Sequence, residues 1–238
     1  MKKITFGLIG CGRIAQRHAE VIKSISEAEV GAVCDVVKER ARLFGERYGV
    51  PWYVSAEEML DQEKLDVASV LTPSGNHSEV VLSIADKVSN IVVEKPMALR
   101  LDDADEMIST CDVNQTRLFV VKQNRFNLPV RKLREVVEQG RFGKFVLGTV
   151  RVRWTRTQHY YDEDPWRGTW AMDGGVFANQ ASHHIDLLAW MMGEVESVMA
   201  MTATRLVNVE TEDTGVVLLR FKNGALGVIE ATTATRPK

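Results

Sequence analysis

The fold is decided by the stretch Gly10-Cys11-Gly12-Arg13-Ile14-Ala15, which follows a short apolar run, Ile4 to Ile9, and opens a segment with helical spacing. In a G-x-G-x-x-A turn of this kind, Gly10 permits the tight bend, Gly12 lets a phosphate approach the backbone, and Ala15 allows close packing of helix on strand. The backbone N–H groups at the helix start then point towards a pyrophosphate. The motif therefore predicts a dinucleotide-binding βα unit.

Short apolar runs alternate with amphipathic stretches through about residue 122, which is typical of βα units on a parallel sheet. The predicted strands are Ile4–Ile9, Val30–Cys34, Leu65–Leu71, Asn90–Val93 and Leu118–Val121. The predicted helices are Ile14–Ile22, Ala56–Leu60, His77–Ala85 and Asp103–Ile108. We expect an α/β chain whose residues 1–122 form a doubly wound, Rossmann-type domain.

Residues 123–238 show a different pattern, which predicts an α+β domain with a largely antiparallel sheet. Its expected helices are Pro129–Gln139 and Val176–Met192, and its expected strands are Phe145–Gln158, Val195–Asn208, Thr214–Phe221 and Ala225–Thr232. The Asn-Gly pair in Lys222-Asn223-Gly224 predicts a tight hairpin between the last two strands. The chain stops directly after a strand pattern, so we expect this domain to be incomplete.

Composition excludes several classes of function. The chain has 238 residues, with 30 Lys and Arg against 32 Asp and Glu and a net charge of -2, so no global field favours nucleic acid or an anionic membrane. No apolar run reaches the ~20 residues of a membrane span, and Met1-Lys2-Lys3 leads directly into the first predicted strand, so we expect neither a membrane span nor a cleavable leader. The dispersed cysteines, Cys11, Cys34 and Cys111, predict inert buried thiols in a reducing cytoplasm.

Asp35 closes the second predicted strand 20 residues after Ala15, where a carboxylate can accept hydrogen bonds from an adenosine ribose. A carboxylate there repels a 2′-phosphate, so the sequence favours NAD over NADP. Lys38 and Arg40 lie near enough to soften that preference. The alternative is a glycine turn with a purely structural role.

Two polar loops follow predicted strands at the edge where parallel sheets bind ligands. Thr72-Pro73-Ser74-Gly75-Asn76-His77 follows Leu65–Leu71, and Glu94-Lys95-Pro96 follows Asn90–Val93. A lysine at this edge can donate to a substrate hydroxyl, whereas the alternative is a solvated lysine beside a proline turn. The residues alone leave both interpretations open.

Spacings of four and three place Asn179, His183 and Asp186 near one face of the predicted helix, while His184 points elsewhere. A histidine is a competent base for an alcohol that loses a hydride, although a helical histidine more often packs in a core. The adjacent histidines diverge and have no third ligand at a suitable spacing, so no metal site is expected.

The segment from Arg151 to Gln158 alternates, which predicts that Arg151, Arg153, Thr155 and Thr157 share one side of a strand. With Arg156 and Arg167 nearby, such a face could bind a phosphate or uronate. The alternative is a solvated sheet face or an oligomer contact. The aromatic segment from Tyr160 to Trp170 could stack on a base or merely pack.

Together these motifs resemble the glucose-fructose oxidoreductase, inositol dehydrogenase and rhizopine-catabolism (Gfo/Idh/MocA) family over essentially the whole chain. GCGRIA, TPSGNH, EKP, WR and the helix with GG, Asn, His and Asp occur in the family's order, and EKP is the most specific. The resemblance implies that Lys95 is catalytic or orients substrate and that His183 accepts the proton. Asn179 stands where the family usually has Asp.

The stretch from residue 151 to 188 looks like a bacterial subgroup, the UDP-N-acetyl-glucosaminuronate (UDP-GlcNAcA) 3-dehydrogenases of surface-polysaccharide (O-antigen) synthesis. This resemblance implies oxidation of a sugar C3 hydroxyl, a UDP-sugar substrate, 2-oxoglutarate as hydride acceptor, and a dimer or tetramer whose chains are longer than this one. The alternatives are another sugar or polyol dehydrogenase of the family and a non-catalytic NAD(P)-binding sensor.

The expected site residues fall into three groups. The catalytic pair is Lys95 and His183. The substrate contacts are Asn179, Arg153, Arg156 and Tyr160. The NAD contacts are Gly10, Gly12, Arg13, Ile14, Asp35, Thr72, Pro73, His77, Glu94, Lys95, Trp166 and Arg167.

Overall fold

The computed structural model describes residues 3–236, which form two units: one ends at Val121 and the other begins at Lys122.

The first unit is a parallel sheet with a helix between each pair of consecutive strands. Its elements are β1 (Ile4–Ile9), α1 (Arg13–Lys23), β2 (Ala28–Cys34), α2 (Lys38–Tyr48), β3 (Trp52–Tyr53), α3 (Ala56–Gln62), β4 (Val67–Val70), α4 (His77–Ile84), β5 (Asn90–Val93), α5 (Leu101–Val113) and β6 (Arg117–Val120). The strands pair in parallel in the order β3-β2-β1-β4-β5-β6. This is the predicted doubly wound order, in which the strand order reverses between β1 and β4 and leaves a crevice at the carboxyl ends.

Burial explains why these segments pair and pack as they do. All four residues of β4 are buried, as expected for a strand covered on both faces. Helix α1 buries Ala15, Ala19 and Ile22, which recur at helical spacing on one face. Because two of these three are alanine, α1 can lie close to the sheet, which places its first turn next to the end of β1.

Two elements of the first unit, α2 and β3, escape prediction from the sequence. Helix α2 buries only Ala41, Phe44 and Gly45, and its many charged residues hide that narrow apolar face. Strand β3 has two residues, too few to show any periodicity. Their existence depends on pairing and packing with β2, which local sequence does not encode.

The second unit combines four strands with helices. Its elements are α6 (Leu128–Glu138), β7 (Leu147–Arg153), α7 (Gln158–Asp162), α8 (Ser182–Met192), β8 (Val195–Ala203), β9 (Thr214–Phe221) and β10 (Leu226–Thr232). The sheet order is β7-β10-β9-β8, with β9 antiparallel to both neighbours and β7 parallel to β10. The predicted hairpin is confirmed: residues 222–225 connect the antiparallel strands β9 and β10, and Gly224 has a φ of +85°.

One face of this second sheet is covered and the other is exposed. Leu188 and Met192 of α8 pack with the buried sheet residues Val217, Phe221 and Ile229. The opposite face carries exposed apolar side chains, among them Leu147, Met199, Met201, Val216, Leu218 and Leu226. Strands β9 and β10 therefore have one core face and one open face.

Three predicted boundaries in the second unit are wrong. The helix expected over Val176–Met192 is a π-helical turn, Val176–Gln180, followed by α8. The strand expected to reach Gln158 ends at Arg153, so the alternation of arginines and threonines does not continue to Thr157.

The third wrong boundary is the end of β8, which stops at Ala203 and not at Asn208. The side chain of Asp213 accepts hydrogen bonds from the backbone N–H groups of Arg205 and Leu206, at 2.9 and 2.8 Å. These bonds turn the chain out of the sheet. A contact eight residues away in sequence is not visible in a strand pattern.

Phe221→Ala should be the most informative test of the second core, because Phe221 is 0% exposed and packs beneath α8. We expect a loss of roughly 3–5 kcal/mol in the free energy of unfolding, measured by denaturant titration. Phe126→Ala, at a side chain that is 75% exposed, is the matched control and should cost less than about 0.5 kcal/mol. Equal losses in the two variants would contradict this description of the core.

Candidate active site

The glycine turn leaves β1 with the geometry that the sequence predicts. Gly10 has a φ of +98°, and a Cβ there would lie 2.9 Å from the carbonyl group of Leu71. A Cβ at Gly12 would meet no heavy atom of the described residues within 4 Å, so the turn faces open space there. Helix α1 begins at Arg13 with no side-chain cap and no acidic residue in its first turn. These features fit a pyrophosphate held by backbone N–H groups.

Asp35 follows β2 and is 5% exposed. Its Oδ2 accepts a hydrogen bond from the backbone N–H of Cys11 at 2.9 Å, and its Oδ1 accepts one from Val37 at 2.8 Å. Arg40, whose side chain is half exposed, approaches the same carboxylate at 3.5 Å. The residue predicted to bind ribose therefore also ties the glycine turn to the end of β2.

Two thiols lie in this part of the first unit. Cys11 Sγ is 3.5 Å from the carbonyl oxygen of Cys34, and both side chains are buried. Burial, followed by the negative charge of Asp35, raises the pKa of each thiol to about 12. Both therefore stay protonated at neutral pH, which agrees with the prediction of inert thiols.

The loop after β4 begins with Thr72, whose buried Oγ1 has no hydrogen-bond partner among the described residues. A hydroxyl in that state fits a bound ligand. His77 was predicted to contact the cofactor, but its ring is 1% exposed and both ring nitrogens face backbone carbonyls. Nδ1 lies 2.8 Å from the oxygen of Pro96, and Nε2 lies 3.0 Å from the oxygen of Thr72. The ring is thus a link between two loops, and its nitrogens are not available to a ligand.

The Glu94-Lys95-Pro96 loop follows β5, and its Lys95–Pro96 peptide is cis. Glu94 is 9% exposed. Its Oε1 lies 2.9 Å from Nε2 of His18, and its Oε2 accepts a hydrogen bond from the backbone N–H of Lys95 at 3.0 Å. Burial alone would raise the pKa of Glu94, but the bonds from His18 and Lys95 outweigh it and lower the pKa. Through its hydrogen bonds with His18 and the Lys95 N–H, Glu94 therefore fixes the backbone of this loop.

In the second unit, Asn179 lies in the π-helical turn, in which Ala181 N–H bonds back five residues to Val176 at 2.7 Å. Its Nδ2 donates a hydrogen bond to Oδ1 of Asp173. Asp173 is 3% exposed and also accepts a bond from the backbone N–H of Gly168 at 2.7 Å. The side chain of Asn179 is thus hydrogen-bonded to the carboxylate of Asp173, six residues before it in sequence. π-turns of this kind are frequent at functional sites.

Glu212 anchors the start of the same turn. Its backbone oxygen accepts from Val176 N–H at 3.0 Å, and its Oε1 accepts from Phe177 N–H at 3.1 Å. Gly175 has a φ of +77°, and a Cβ there would lie 2.2 Å from the Glu212 carboxylate. Burial, with a further contribution from Asp173, raises the pKa of Glu212.

The two adjacent histidines have different surroundings. Nε2 of His183 lies 3.2 Å from Nε2 of Gln123. His184 packs edge-on against Trp154, with ring centroids 5.8 Å apart, and burial lowers its pKa. His184 is therefore the packing histidine, and His183 remains the candidate base.

Asp186, predicted near the same face as His183, is engaged in an ion pair. Arg125 binds both of its oxygens at 2.7 Å, and Lys122 lies 3.6 Å away. Burial would raise the pKa of Asp186, but Arg125 and Lys122 lower it overall. Asp186 therefore joins α8 to the segment before α6.

Arg156, Tyr160 and Arg167 form one cluster. The guanidinium carbon of Arg156 lies 4.9 Å from the centre of the Tyr160 ring, and that of Arg167 lies 4.3 Å from it. Gln180 accepts a bond from Arg156 and donates one to the hydroxyl of Tyr160, at 3.1 and 3.3 Å. Trp166 lies 4.9 Å from the Arg167 guanidinium. Arg167 also donates a hydrogen bond to Oδ2 of Asp164 at 3.0 Å, so its charge is already paired. Arg156 donates to neutral groups, the Thr155 carbonyl and the Gln180 amide, and is therefore the cation of this cluster suited to an anionic ligand.

Arg153 contacts other residues than those of that cluster. On the exposed face of the sheet, Arg153 and Arg151 both bind the carboxylate of Glu230, at 2.7 and 3.2 Å. Its charge is already paired across β7 and β10. The geometry favours the solvated-face interpretation for Arg153 over a substrate contact.

Sequence reasoning missed His18, Gln123, Asp173 and Glu212. The one available signal was that His18 follows the buried Ala15 by three residues on α1, which turns it towards the sheet. Gln123 and Glu212 are recognisable only from contacts distant in sequence, with His183 and Phe177. Asp173 is recognisable from its hydrogen bonds with Gly168 and Asn179, five and six residues away.

Among residues 3–236, no cluster of three or more His, Cys, Asp or Glu side chains is arranged to hold a metal ion. Within the same range, no helix has both the length and the apolar character needed to cross a membrane.

Family models match nearly all of the chain. Residues 4–122 match the oxidoreductase family with an NAD-binding Rossmann fold, and residues 130–238 match the GFO/IDH/MocA C-terminal domain. Among curated proteins, the chain is 36% identical over 232 residues to a myo-inositol 2-dehydrogenase of Thermotoga maritima, covering 94% of this chain and 67% of that protein.

Two solved structures are similar over the whole of this chain. The WlbA dehydrogenase of Chromobacterium violaceum is 44% identical with a TM-score of 0.97, and this chain covers 69% of its length. The WlbA dehydrogenase of Bordetella pertussis is 45% identical with a TM-score of 0.96, and 74% of its length is covered. Both were solved in complex with NADH and UDP-GlcNAcA. The chain spans about two thirds of the length of the curated relative and somewhat more of these two structures.

Asp35→Ala should weaken NAD binding, because it removes both the predicted ribose acceptor and the partner of Cys11 N–H. We expect the dissociation constant for NAD to rise roughly ten- to a hundredfold in isothermal titration. The preference for NAD over NADP should fall at the same time, since the repelling charge is gone. Asp105→Ala, at an exposed position of α5, is the control. Unchanged affinity in Asp35→Ala would exclude the residue from the site.

Glu212→Gln should change how stability depends on pH. A buried acid with a raised pKa makes wild-type stability fall as pH rises from the ordinary value of the carboxyl through the raised one. The amide does not ionise and can still accept from Phe177, so the melting temperature of the variant relative to wild type should increase between about pH 4 and pH 7. The exposed Glu196→Gln should show no such trend. A pH-independent difference at position 212 would contradict the assignment.

Proposed function

The chain belongs to the Gfo/Idh/MocA family of NAD-binding oxidoreductases, and from that premise we propose that the protein oxidises the C3 hydroxyl of UDP-GlcNAcA to a ketone with NAD as hydride acceptor. The observation that carries the proposal is the 44–45% identity, over the full chain, to two dehydrogenases solved with that nucleotide sugar. Arg156, which lies over the Tyr160 ring, supports it, because the substrate is an anion.

The proposed roles follow from the chemistry of each side chain. His183 accepts the proton of the C3 hydroxyl as a general base. Lys95 donates a hydrogen bond to the same oxygen and stabilises the charge that develops there. Asn179, oriented by Asp173, hydrogen-bonds the sugar ring. When bound, NAD supplies the hydride acceptor at C4 of its nicotinamide ring.

The residues of the first unit would hold that cofactor through the glycine turn, Asp35 and Thr72. The turn offers backbone N–H groups to the pyrophosphate, Asp35 offers a carboxylate to the ribose, and Thr72 has a buried hydroxyl that needs a partner. In the second unit, Arg156 and Tyr160 are the proposed contacts to the anionic part of the substrate.

The wider setting follows from the same proposal. UDP-GlcNAcA oxidation belongs to surface-polysaccharide (O-antigen) synthesis in the cytoplasm, and 2-oxoglutarate would reoxidise the cofactor. A homodimer or tetramer would cover the exposed apolar face of the second sheet.

A second candidate is oxidation of a free polyol, which the 36% identity to a myo-inositol 2-dehydrogenase favours. A substrate panel separates the two: UDP-GlcNAcA, its free sugar acid, and myo-inositol, each followed by NADH absorbance. Equal rates with free sugars and with the UDP-uronate would reject the nucleotide-sugar assignment. A reduced-nicotinamide band in the freshly purified protein that bleaches with 2-oxoglutarate would support the proposed cycle.

His183→Ala should abolish most turnover while leaving the cofactor bound. We expect kcat with UDP-GlcNAcA to fall roughly 10²- to 10⁴-fold, because the proton has no acceptor. The affinity for NADH, measured by fluorescence titration, should stay close to that of wild type. His159→Ala, at an exposed position of α7, is the matched control and should keep full activity.

A wild-type kcat in His183→Ala would reject the proposed base. A wild-type protein that binds NAD but turns over none of the panel would favour a non-catalytic NAD(P)-binding sensor.

A further inference from the structure

The loop that carries Lys95 is held by a histidine on each side. Before it, the Glu94 carboxylate lies 2.9 Å from Nε2 of His18 and accepts the backbone N–H of Lys95 at 3.0 Å. After it, the carbonyl oxygen of Pro96 lies 2.8 Å from Nδ1 of His77. The main chain at residue 95 is therefore fixed by side chains from two other elements, α1 and α4.

The direction of the hydrogen bond between His18 and Glu94 follows from charge. Burial raises the pKa of the Glu94 carboxyl, but the hydrogen bonds from His18 and from the backbone N–H of Lys95 lower it overall, and an ionised carboxylate only accepts. Nε2 of His18 is therefore the donor. The two side chains are only 18% and 12% exposed, so this contact is shielded from water far more than a surface ion pair.

His18 lies on the helix that follows the glycine turn, so its contact with Glu94 connects that helix to the loop after β5. Helix α1 begins at Arg13, directly after the glycine turn, and His18 lies between the buried Ala15 and Ala19 of that helix. Through Glu94, the helix that opens at the proposed pyrophosphate site sets the position of the loop after β5. Displacing a catalytic group by about 1 Å can cost roughly a hundredfold in rate.

We propose that His18 is a positioning residue that fixes Lys95 through the bridging carboxylate of Glu94. The inference rests on the catalytic role proposed above for Lys95. His18 touches no reacting atom in this proposal; it determines where the amine of Lys95 is presented.

The test compares two substitutions of one side chain. His18→Gln keeps an N–H donor for Glu94, whereas His18→Leu fills similar space and donates nothing. Glu20→Leu, at an exposed position of the same helix, controls for the added leucine. Glu94→Gln is a second variant that removes the charged acceptor, in case His18→Leu does not fold.

The first measurement needs no substrate. Limited acetylation of the cofactor-free protein, followed by mass spectrometry, gives the labelling rate of Lys95 relative to the exposed Lys144. We expect that ratio to change several-fold in His18→Leu and in Glu94→Gln, and to remain at the wild-type value in His18→Gln and Glu20→Leu. An unchanged ratio in folded His18→Leu would overturn the proposal.

The second measurement is the rate with substrate. We expect His18→Leu to lower kcat roughly ten- to a hundredfold with little change in KM, and His18→Gln to restore most of it. A fall in melting temperature at unchanged kcat would mean a structural role only and would also overturn the proposal. If wild type shows no turnover, the proposed function fails, while the labelling ratio still decides whether His18 positions Lys95.

Discussion

Parallel backbone pairing among β1, β2, β4 and β5 is the constraint from which the candidate cofactor site follows. It brings the carboxyl ends of these strands to one edge, so residues far apart in sequence leave the sheet side by side. Buried carboxylates then join the emerging loops. Asp35 accepts from the glycine turn, and Glu94 connects α1 with the loop after β5. Sheet geometry gathers the loops, and side-chain hydrogen bonds set their shapes.

In the second unit, whose sheet is mixed, buried carboxylates also link separate segments of the chain. Asp173 and Glu212 are buried acids that accept hydrogen bonds from backbone N–H groups and, at Asp173, from one asparagine amide. They hold the π-helical turn that carries Asn179 and leads into α8. For Glu212, the bonds from backbone N–H groups offset the desolvation of the carboxylate only in part, since its pKa stays raised. Holding the π-helical turn with a buried carboxylate therefore lowers the free energy of unfolding of this unit at neutral pH.

The sequence predicted best those features that are encoded locally. Strands β1, β5 and β9 have the predicted bounds, and the glycine turn has the predicted conformation at Gly10, because apolar runs and glycine spacing are local signals. The glycine turn and the order of the motifs after it likewise predicted an NAD-binding oxidoreductase.

Features that depend on distant partners were not predictable. The π-turn at Val176–Gln180 depends on Glu212, and the buried ring of His77 depends on Pro96. The pairing of Arg153 with Glu230 requires β10 beside β7. The roles of Lys95 and His183 remain predictions, because motif resemblance assigned them and only the substitutions can test them.

The protonated thiols of Cys11 and Cys34 also affect how the protein can be handled. Alkylating reagents and peroxide react with the thiolate form of cysteine. A pKa of about 12 leaves almost no thiolate at neutral pH. A cysteine within the dinucleotide turn would otherwise be a point of oxidative inactivation. Maleimide labelling of the native protein should therefore spare this turn, so dyes for binding studies can be attached through an introduced surface cysteine.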